Sequence, residues 1–310
     1  MTAMYKMIED KLNAGELVLL DGGTGTEMQR KGAPMSGEVW CALATRSHPE
    51  IVRDVHADYI RAGADIITAN TYATSPLILR AHDMLDEMVE LDGMAVRIAR
   101  EARDAGGDRP VCVAGSMSVM PPVVRGTDRG RADFSMSEED LRPLFQRKAE
   151  ALAEAGAEMI MMEMMRDLDN SLWATEAAVA TGLPVWMGIA VKHGEDGPLT
   201  GFNREEYPLA DLIEPLMATG ARVAMIMHSS VPDTDEALPM VFERWSGPVG
   251  AYPESGYFTI PDWVFGEITP EDFAAKCVEW RAQGASVLGG CCGITPEHIA
   301  AASAALGKPH

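Results

Sequence analysis

The sequence predicts an α/β protein of the (β/α)8, or TIM-barrel, class, folded as a single domain over residues 1–310. Three observations carry this. Short β-rich apolar runs recur eight times along the 310 residues, amphipathic helical stretches separate them, and several of those stretches end in glycine just before the next run. Alternating βα units build a parallel sheet with helices outside. Eight such units are the number that closes a barrel. The competing arrangement, an open doubly wound sheet, would carry a phosphate-binding glycine fingerprint after its first strand. DGGTGTEM at 21–28 lacks that spacing.

The elements follow in order. The first run, 17–21, ends in DGGTGT. The stretch 48–62 aligns Ile51, Val55, Tyr59 and Ile60 on one helical face and leads through RAGAD into the second run, 65–69, which ends in NTYAT. The third run, 111–114, ends in GSMS. Leu141, Leu144, Phe145, Ala149 and Leu152 form the apolar face of 138–155, and EAGAE then opens the fourth run, 159–163. The fifth run, 185–191, ends in KHGEDG. ATGAR precedes the sixth, 223–227, which ends in HSS, and the seventh, 249–252, ends in PESG. The helix 270–283 opens with Thr269 as cap, Pro270 in the first turn, and Glu271 and Asp272 where the helix dipole favours negative charge. AQGAS then leads to the eighth run, 286–288, and GGCCG. Each glycine before a strand suits the left-handed residue that ends a helix. The long segments 117–137 and 252–269 hold several prolines and glycines and read as functional loops over the barrel mouth.

Composition narrows the partners. Hydrophobic residues make up 47% and charged residues 24%, so a chain of this length can build its core without disulfides. The net charge of -21 repels phosphate backbones and anionic lipid, which argues against nucleic acid and membrane partners. No apolar run approaches the ~20 residues of a membrane-spanning helix, and the N-terminus has no secretory pattern, so a cytoplasmic protein is expected. Self-association into a homo-oligomer is compatible with the sequence. Five cysteines, two of them adjacent, are not a disulfide framework. Cys291 and Cys292 read instead as reactive thiols or metal ligands in a reducing compartment.

In a barrel of this class the chemistry sits at the C-terminal ends of the strands. Those ends carry Asp21, then Asn70 and Tyr72, Glu163, His228, Tyr252 with Glu254, and Cys291 with Cys292. Strands six, seven and eight are neighbours in the wall, so His228, Cys291 and Cys292 are expected to converge. Two sulfurs and an imidazole suit Zn2+ with a fourth position open. Gly289, Gly290 and Gly293 supply the irregular turn that aims both sulfurs one way. The residue pattern alone leaves a second reading open: buried small thiols, a satisfied core histidine, and carboxylates acting as caps. The methionines of 159–165 read as interior packing rather than a soft-metal site.

DGGTGTEMQRKG (21–32), VHADYIRAGAD (55–65), ITANTYATS (67–75), AYPESG (251–256) and GGCCGITPEHI (289–299) closely resemble the homocysteine S-methyltransferase family. That family includes the betaine–homocysteine and S-methylmethionine–homocysteine enzymes, and the similarity runs over nearly the whole chain. The resemblance implies a (β/α)8 barrel and zinc-dependent transfer of a methyl group from a sulfonium or quaternary ammonium donor to homocysteine, in methionine biosynthesis. It makes Cys291 and Cys292 zinc ligands. It makes Asp21 and Glu163 catalytic acidic residues beside the amino acid, with Glu163 on the α-ammonium and both ionised at neutral pH. Trp40, in GEVWCAL, falls where an aromatic ring would face a methylated cation. Asn70, Tyr72, Tyr252 and Glu254 complete the expected substrate contacts.

Three positions depart from the family pattern. Met227-His228 stands where an Asn-Cys pair supplies the third zinc ligand, so a Cys2His zinc site is expected. Glu254 replaces the Asn of a YPNSG turn. MEMMRD replaces a Glu-Thr after strand four. Two other functions stay open on these grounds. One is a divergent barrel acting on another substrate, including metal-assisted hydrolysis; the other is a non-catalytic binder of metal or methylated amines.

Overall fold

The eight apolar runs become eight parallel strands: β1 (Val18–Leu19), β2 (Ile66–Thr68), β3 (Cys112–Ser118), β4 (Met159–Met165), β5 (Val185–His193), β6 (Ala224–Met227), β7 (Val249–Tyr252) and β8 (Val287–Leu288). The computed structural model describes residues 2–308 apart from 108, 132, 195, 196 and 267, so the expected extent of 1–310 reaches beyond the described residues at both ends. Parts of the segments after the third, fifth and seventh runs, at 132, 195, 196 and 267, also lie outside them. The strands follow the order β1-β8-β7-β6-β5-β4-β3-β2. A parallel bridge between Leu20 and Ile66 joins the two ends of that row, which makes the (β/α)8 barrel expected from the alternation.

Strands buried on both faces read as continuous apolar runs, which is why these segments were recognisable without period-two alternation. Every residue of β3 and β4 is buried, and Met159, Met161, Met162, Met164 and Met165 are core residues as the packing reading expected. The helices Pro49–Arg61, Glu138–Glu154 and Pro270–Gln283 lie within a residue of their predicted spans. Gly63, Gly156, Gly220 and Gly284 take φ of 105°, 93°, 104° and 115°. These are the left-handed helix ends that RAGAD, EAGAE, ATGAR and AQGAS announced. Between the helices Met88–Ala105 and Glu138–Glu154 lies a fully buried ion pair, Lys148 Nζ to Asp92 Oδ2 at 2.9 Å. Lys148 also donates to Thr74 Oγ1 at 2.8 Å, tying the loop after β2 to the helix layer.

Two hairpins lie outside the sequence reading. β5 runs past the barrel rim and pairs antiparallel with Leu199–Gly201, which pairs in turn with Arg204–Pro208. After β7, Tyr257–Thr259 and Asp262–Val264 form a second hairpin in the long loop at the mouth. Among the described residues no helix is long and apolar enough to cross a membrane.

Candidate active site

Strand ends bring the predicted residues to one cavity. Asp21, Trp40, Asn70, Tyr72, Glu163, His228, Tyr252, Cys291 and Cys292 all line it. Glu254 lines an adjoining cavity that shares His228, Phe258 and Trp263 with the first.

Local backbone geometry places three of these groups. β4 shifts register between Met162 and Met165, and Met164 has φ of 62°. Such a bulge re-aims the side chain beside it, here Glu163. His228 follows β6 at φ 42°, and Trp40 has φ 47°. Non-glycine residues in this region are uncommon and cluster where surrounding structure enforces them at working sites. Gly293, at φ 79°, has the conformation the cysteine turn needs, and a Cβ there would overlap the Ser255 carbonyl.

His228, Cys291 and Cys292 place one ligand atom each within 4.8 Å of one another. Nδ1 of His228 lies 3.8 Å from Cys291 Sγ, and the two sulfurs are 3.9 Å apart. Bond lengths of about 2.3 Å to sulfur and about 2.0–2.1 Å to nitrogen put tetrahedral zinc ligands about 3.8 Å (S···S) and about 3.6 Å (N···S) apart. The observed spacings therefore fit a zinc ion. The chemistry of the donors agrees. Cys292 alongside it and burial push the Cys291 thiol well above its usual range, so two adjacent thiolates call for a compensating cation.

The acidic pair lies nearby. Thr68 donates to Asp21 through its backbone N–H (2.6 Å to Oδ2) and its hydroxyl (3.1 Å to Oδ1). Ser116 Oγ donates to Glu163 Oε2. Burial pushes both carboxyls up to about 7. The sequence reading expected both to be ionised at neutral pH beside a cationic amino group and the metal. In the protein alone burial outweighs the hydrogen bonds, and full ionisation awaits a neighbouring cation.

Asn70 lines the cavity and also braces its wall. Its amide donates to Cys41 O and Thr45 Oγ1, both at 3.0 Å, and its oxygen accepts from Cys41 Sγ at 3.1 Å. Its polar atoms thus hold the Trp40–Cys41 segment in place. Trp40 meets Tyr72 edge-on at 6.4 Å between ring centroids and Phe258 at 5.7 Å. Phe258 stacks on Trp263 at 6.4 Å. The hairpin carrying these last two rings is pinned by Gln29, which accepts from Trp263 N at 2.8 Å and donates to Trp263 O at 3.0 Å. Sequence reasoning singled out this loop but missed Phe258 and Trp263; the signal available was two aromatics in a long loop rich in proline and glycine. It also missed Thr68 and Ser116, small polar residues within otherwise apolar runs.

Comparison with known proteins supplies a second line of evidence. A family model described as homocysteine S-methyltransferase matches residues 18–306. Homocysteine S-methyltransferase 4 of Zea mays is 30% identical to this chain, covering 94% of it and 90% of the plant protein. Selenocysteine methyltransferase of Astragalus bisulcatus is also 30% identical, covering 94% of each. Among solved structures, the metallated form of the homocysteine methyltransferase MmuM from Escherichia coli superposes with a TM-score of 0.74 at 26% identity, over 97% of this chain and 99% of that one.

Proposed function

The chain belongs to the homocysteine S-methyltransferase family, and from that premise we propose that it transfers a methyl group from a sulfonium or quaternary ammonium donor to the sulfur of homocysteine, with Zn2+ held by His228, Cys291 and Cys292. It is a methyltransferase of that family. In this reading the whole chain, 1–310, works as one barrel domain. Its partners are a small thiol acceptor and a methylated cationic donor. The observation that carries the reading is one cavity uniting three soft and borderline metal donors, two buried carboxyls and an aromatic wall.

Bound at this position, zinc would keep a coordinated thiol deprotonated at neutral pH, where a free thiol of pKa about 8.5 is mostly protonated. The protein's own residues supply the rest. Glu163 binds the α-ammonium of the acceptor; a cation drawing its carboxyl below about 7 makes the contact a charge-assisted one. Ser116 fixes the orientation of that carboxylate. Asp21, anchored on Thr68, adds a second negative charge on the same side. Trp40, Tyr72, Phe258 and Trp263 present ring faces and edges to the donor, favouring a methylated cation over its neutral product. Holding the two reactants in line accounts for much of the rate such a site can supply.

Incubating the purified protein with homocysteine and, separately, glycine betaine, S-methylmethionine and dimethylsulfoniopropionate tests the reading. Methionine detected by mass spectrometry with at least one donor is expected. Its absence with all three, in protein carrying one zinc per chain, would move the reading to another acceptor.

A further inference from the structure

The wall between β2 and β3 changes its bonding at the level of the site. The last backbone rung runs from Ala69 N to Ala114 O at 2.9 Å. Two residues along β3, Ser116 turns its N–H and C=O to the same side, but the chain after β2 has already bent away, with Thr71 N donating to Ala69 O at 2.7 Å. The Thr71 side chain stands in for the missing strand. Its Oγ1 accepts from Ser116 N at 2.8 Å and donates to Ser116 O at 2.9 Å. Ala69 O lies farther off, at 3.5 Å, so the single hydroxyl hydrogen goes to Ser116. Thr71 and Ser116 are both fully buried. Without that hydroxyl, two backbone groups of β3 would be unpaired and out of reach of solvent.

Ser116 is the residue whose hydroxyl donates to Glu163 Oε2. That hydroxyl has one hydrogen, and its direction follows the backbone that carries it. Two further hydroxyls continue the seam between the loop and β3. Ser118 Oγ donates to Tyr72 O at 3.0 Å, and Ser75 Oγ donates to Met120 O at 3.2 Å. These two fasten the loop to the strand from farther out. Thr71 alone of the three bonds the residue that touches the Glu163 carboxyl.

We infer that Thr71 is a positioning residue for the acceptor site: its paired hydrogen bonds to the Ser116 backbone aim the Ser116 hydroxyl at Glu163. The inference rests on the reading of Glu163 as the anchor for the acceptor ammonium. Donation from Ser116 favours the ionised carboxyl and works against the burial that raises it to about 7. Loosening Ser116 therefore moves that titration to higher pH. At neutral pH a smaller fraction of Glu163 is then ionised, and its grip on an ammonium group weakens.

The test uses the full-length, zinc-loaded protein and methionine as the probe, because its sulfur carries no proton to complicate the pH dependence. Calorimetry on both sides of neutral pH gives the affinity and the pH midpoint of its rise. Thr71→Val keeps the shape of the side chain and removes the hydroxyl. It should weaken methionine binding at neutral pH by about three- to tenfold, the worth of one neutral hydrogen bond, and move the midpoint upward. Thr71→Ser, which retains the hydroxyl, should keep both near their original values. In a Ser116→Ala background Thr71→Val should add nothing to either, because its effect passes through that serine. A merely structural role would lower the melting temperature and leave the midpoint in place. Unchanged affinity and midpoint in a folded Thr71→Val protein would overturn the inference, as would a full further loss in the Ser116→Ala background. Should Thr71→Val not fold, Ser116→Ala by itself should reproduce the loss and the shift, and their absence would overturn the inference equally. Glu163→Gln tests the premise. If it binds methionine as the unaltered protein does, the ammonium anchor is wrong and the inference falls with it. If it loses affinity while Thr71→Val does not, the anchor stands and Thr71 has no part in positioning it.

Discussion

Glu163→Gln separates anchoring from proton chemistry. The substitution keeps shape and hydrogen-bonding capacity but removes the charge expected to meet the acceptor ammonium. A charge-assisted hydrogen bond contributes roughly 1.5–3 kcal/mol, or about ten- to a hundredfold in acceptor affinity. The structure adds a pH signature. Burial raises the Glu163 carboxyl to about 7, so it is protonated below that pH and ionised above it. Ammonium binding selects the ionised form, so acceptor affinity should rise with pH through about 7. The Glu163 share of that rise scales with its ionised fraction, which grows from about one eleventh at pH 6 to about ten elevenths at pH 8, a factor of about ten beyond the rise that thiol deprotonation gives the unaltered protein and Glu163→Gln alike. Near pH 7 this equilibrium adds about half a proton per acceptor bound to the proton that the acceptor thiol itself loses. Calorimetry with homocysteine in buffers of different ionisation enthalpy reads both quantities. Glu163→Gln should lose that affinity and reduce the proton release by about half a proton at pH 7, leaving the thiol proton and whatever Asp21 contributes. With 3-methylthiopropane-1-thiol, which lacks the amino group, the variant and the unaltered protein should differ little. A loss of turnover by several orders of magnitude for both thiols, at unchanged acceptor affinity, would refute the reasoning and assign Glu163 to proton transfer.

Other perturbations follow from the same geometry. Cys292→Ala should abolish methyl transfer and zinc binding while the melting temperature shifts by only a few degrees, because the barrel wall and helix layer carry the stability; scanning calorimetry beside metal analysis checks this. Phe258→Ala should raise the donor KM by about 2- to 30-fold, the range set by a cation–π contribution of about 0.5–2 kcal/mol, and leave the acceptor KM near its original value. Lys148→Met leaves Asp92 buried without its counter-charge and should cost about 3–5 kcal/mol in urea unfolding, far from the chemistry.

The barrel was legible because its signals are local. Buried parallel strands announce themselves as apolar runs, and the glycine ending each helix marks where the next begins. The spans 138–155 and 270–283 came out within a residue for this reason. The extension of β5 to His193 was not legible. Its outer residues are polar, and they are held by antiparallel pairing with Leu199–Gly201, which no apolar pattern marks. The convergence of His228 with Cys291 and Cys292 could be foreseen, since adjacent strands fix which strand ends meet. What those residues touch could not. The contact between Glu254 and His228 depends on a turn laced by backbone hydrogen bonds, and the aromatic wall depends on a hairpin pinned by Gln29. Asn70 shows a limit of another kind: a strand-end position does not announce that its amide N–H groups bind Cys41 O and Thr45 Oγ1. The depth of burial that raises the Asp21 and Glu163 carboxyls to about 7 cannot be read from a strand-end position either.

The central claim is methyl transfer to homocysteine at a zinc site formed by His228 and the cysteine pair. The most direct measurement is a single-turnover reaction with a deuterated-methyl donor, in protein whose zinc content has been determined, followed by mass spectrometry of the amino-acid product. The account predicts one zinc per chain, methionine carrying the intact labelled methyl group, and loss of both on removing the metal with a chelator, restored when zinc is returned. Labelled methionine formed at an undiminished rate by fully metal-depleted protein would contradict it.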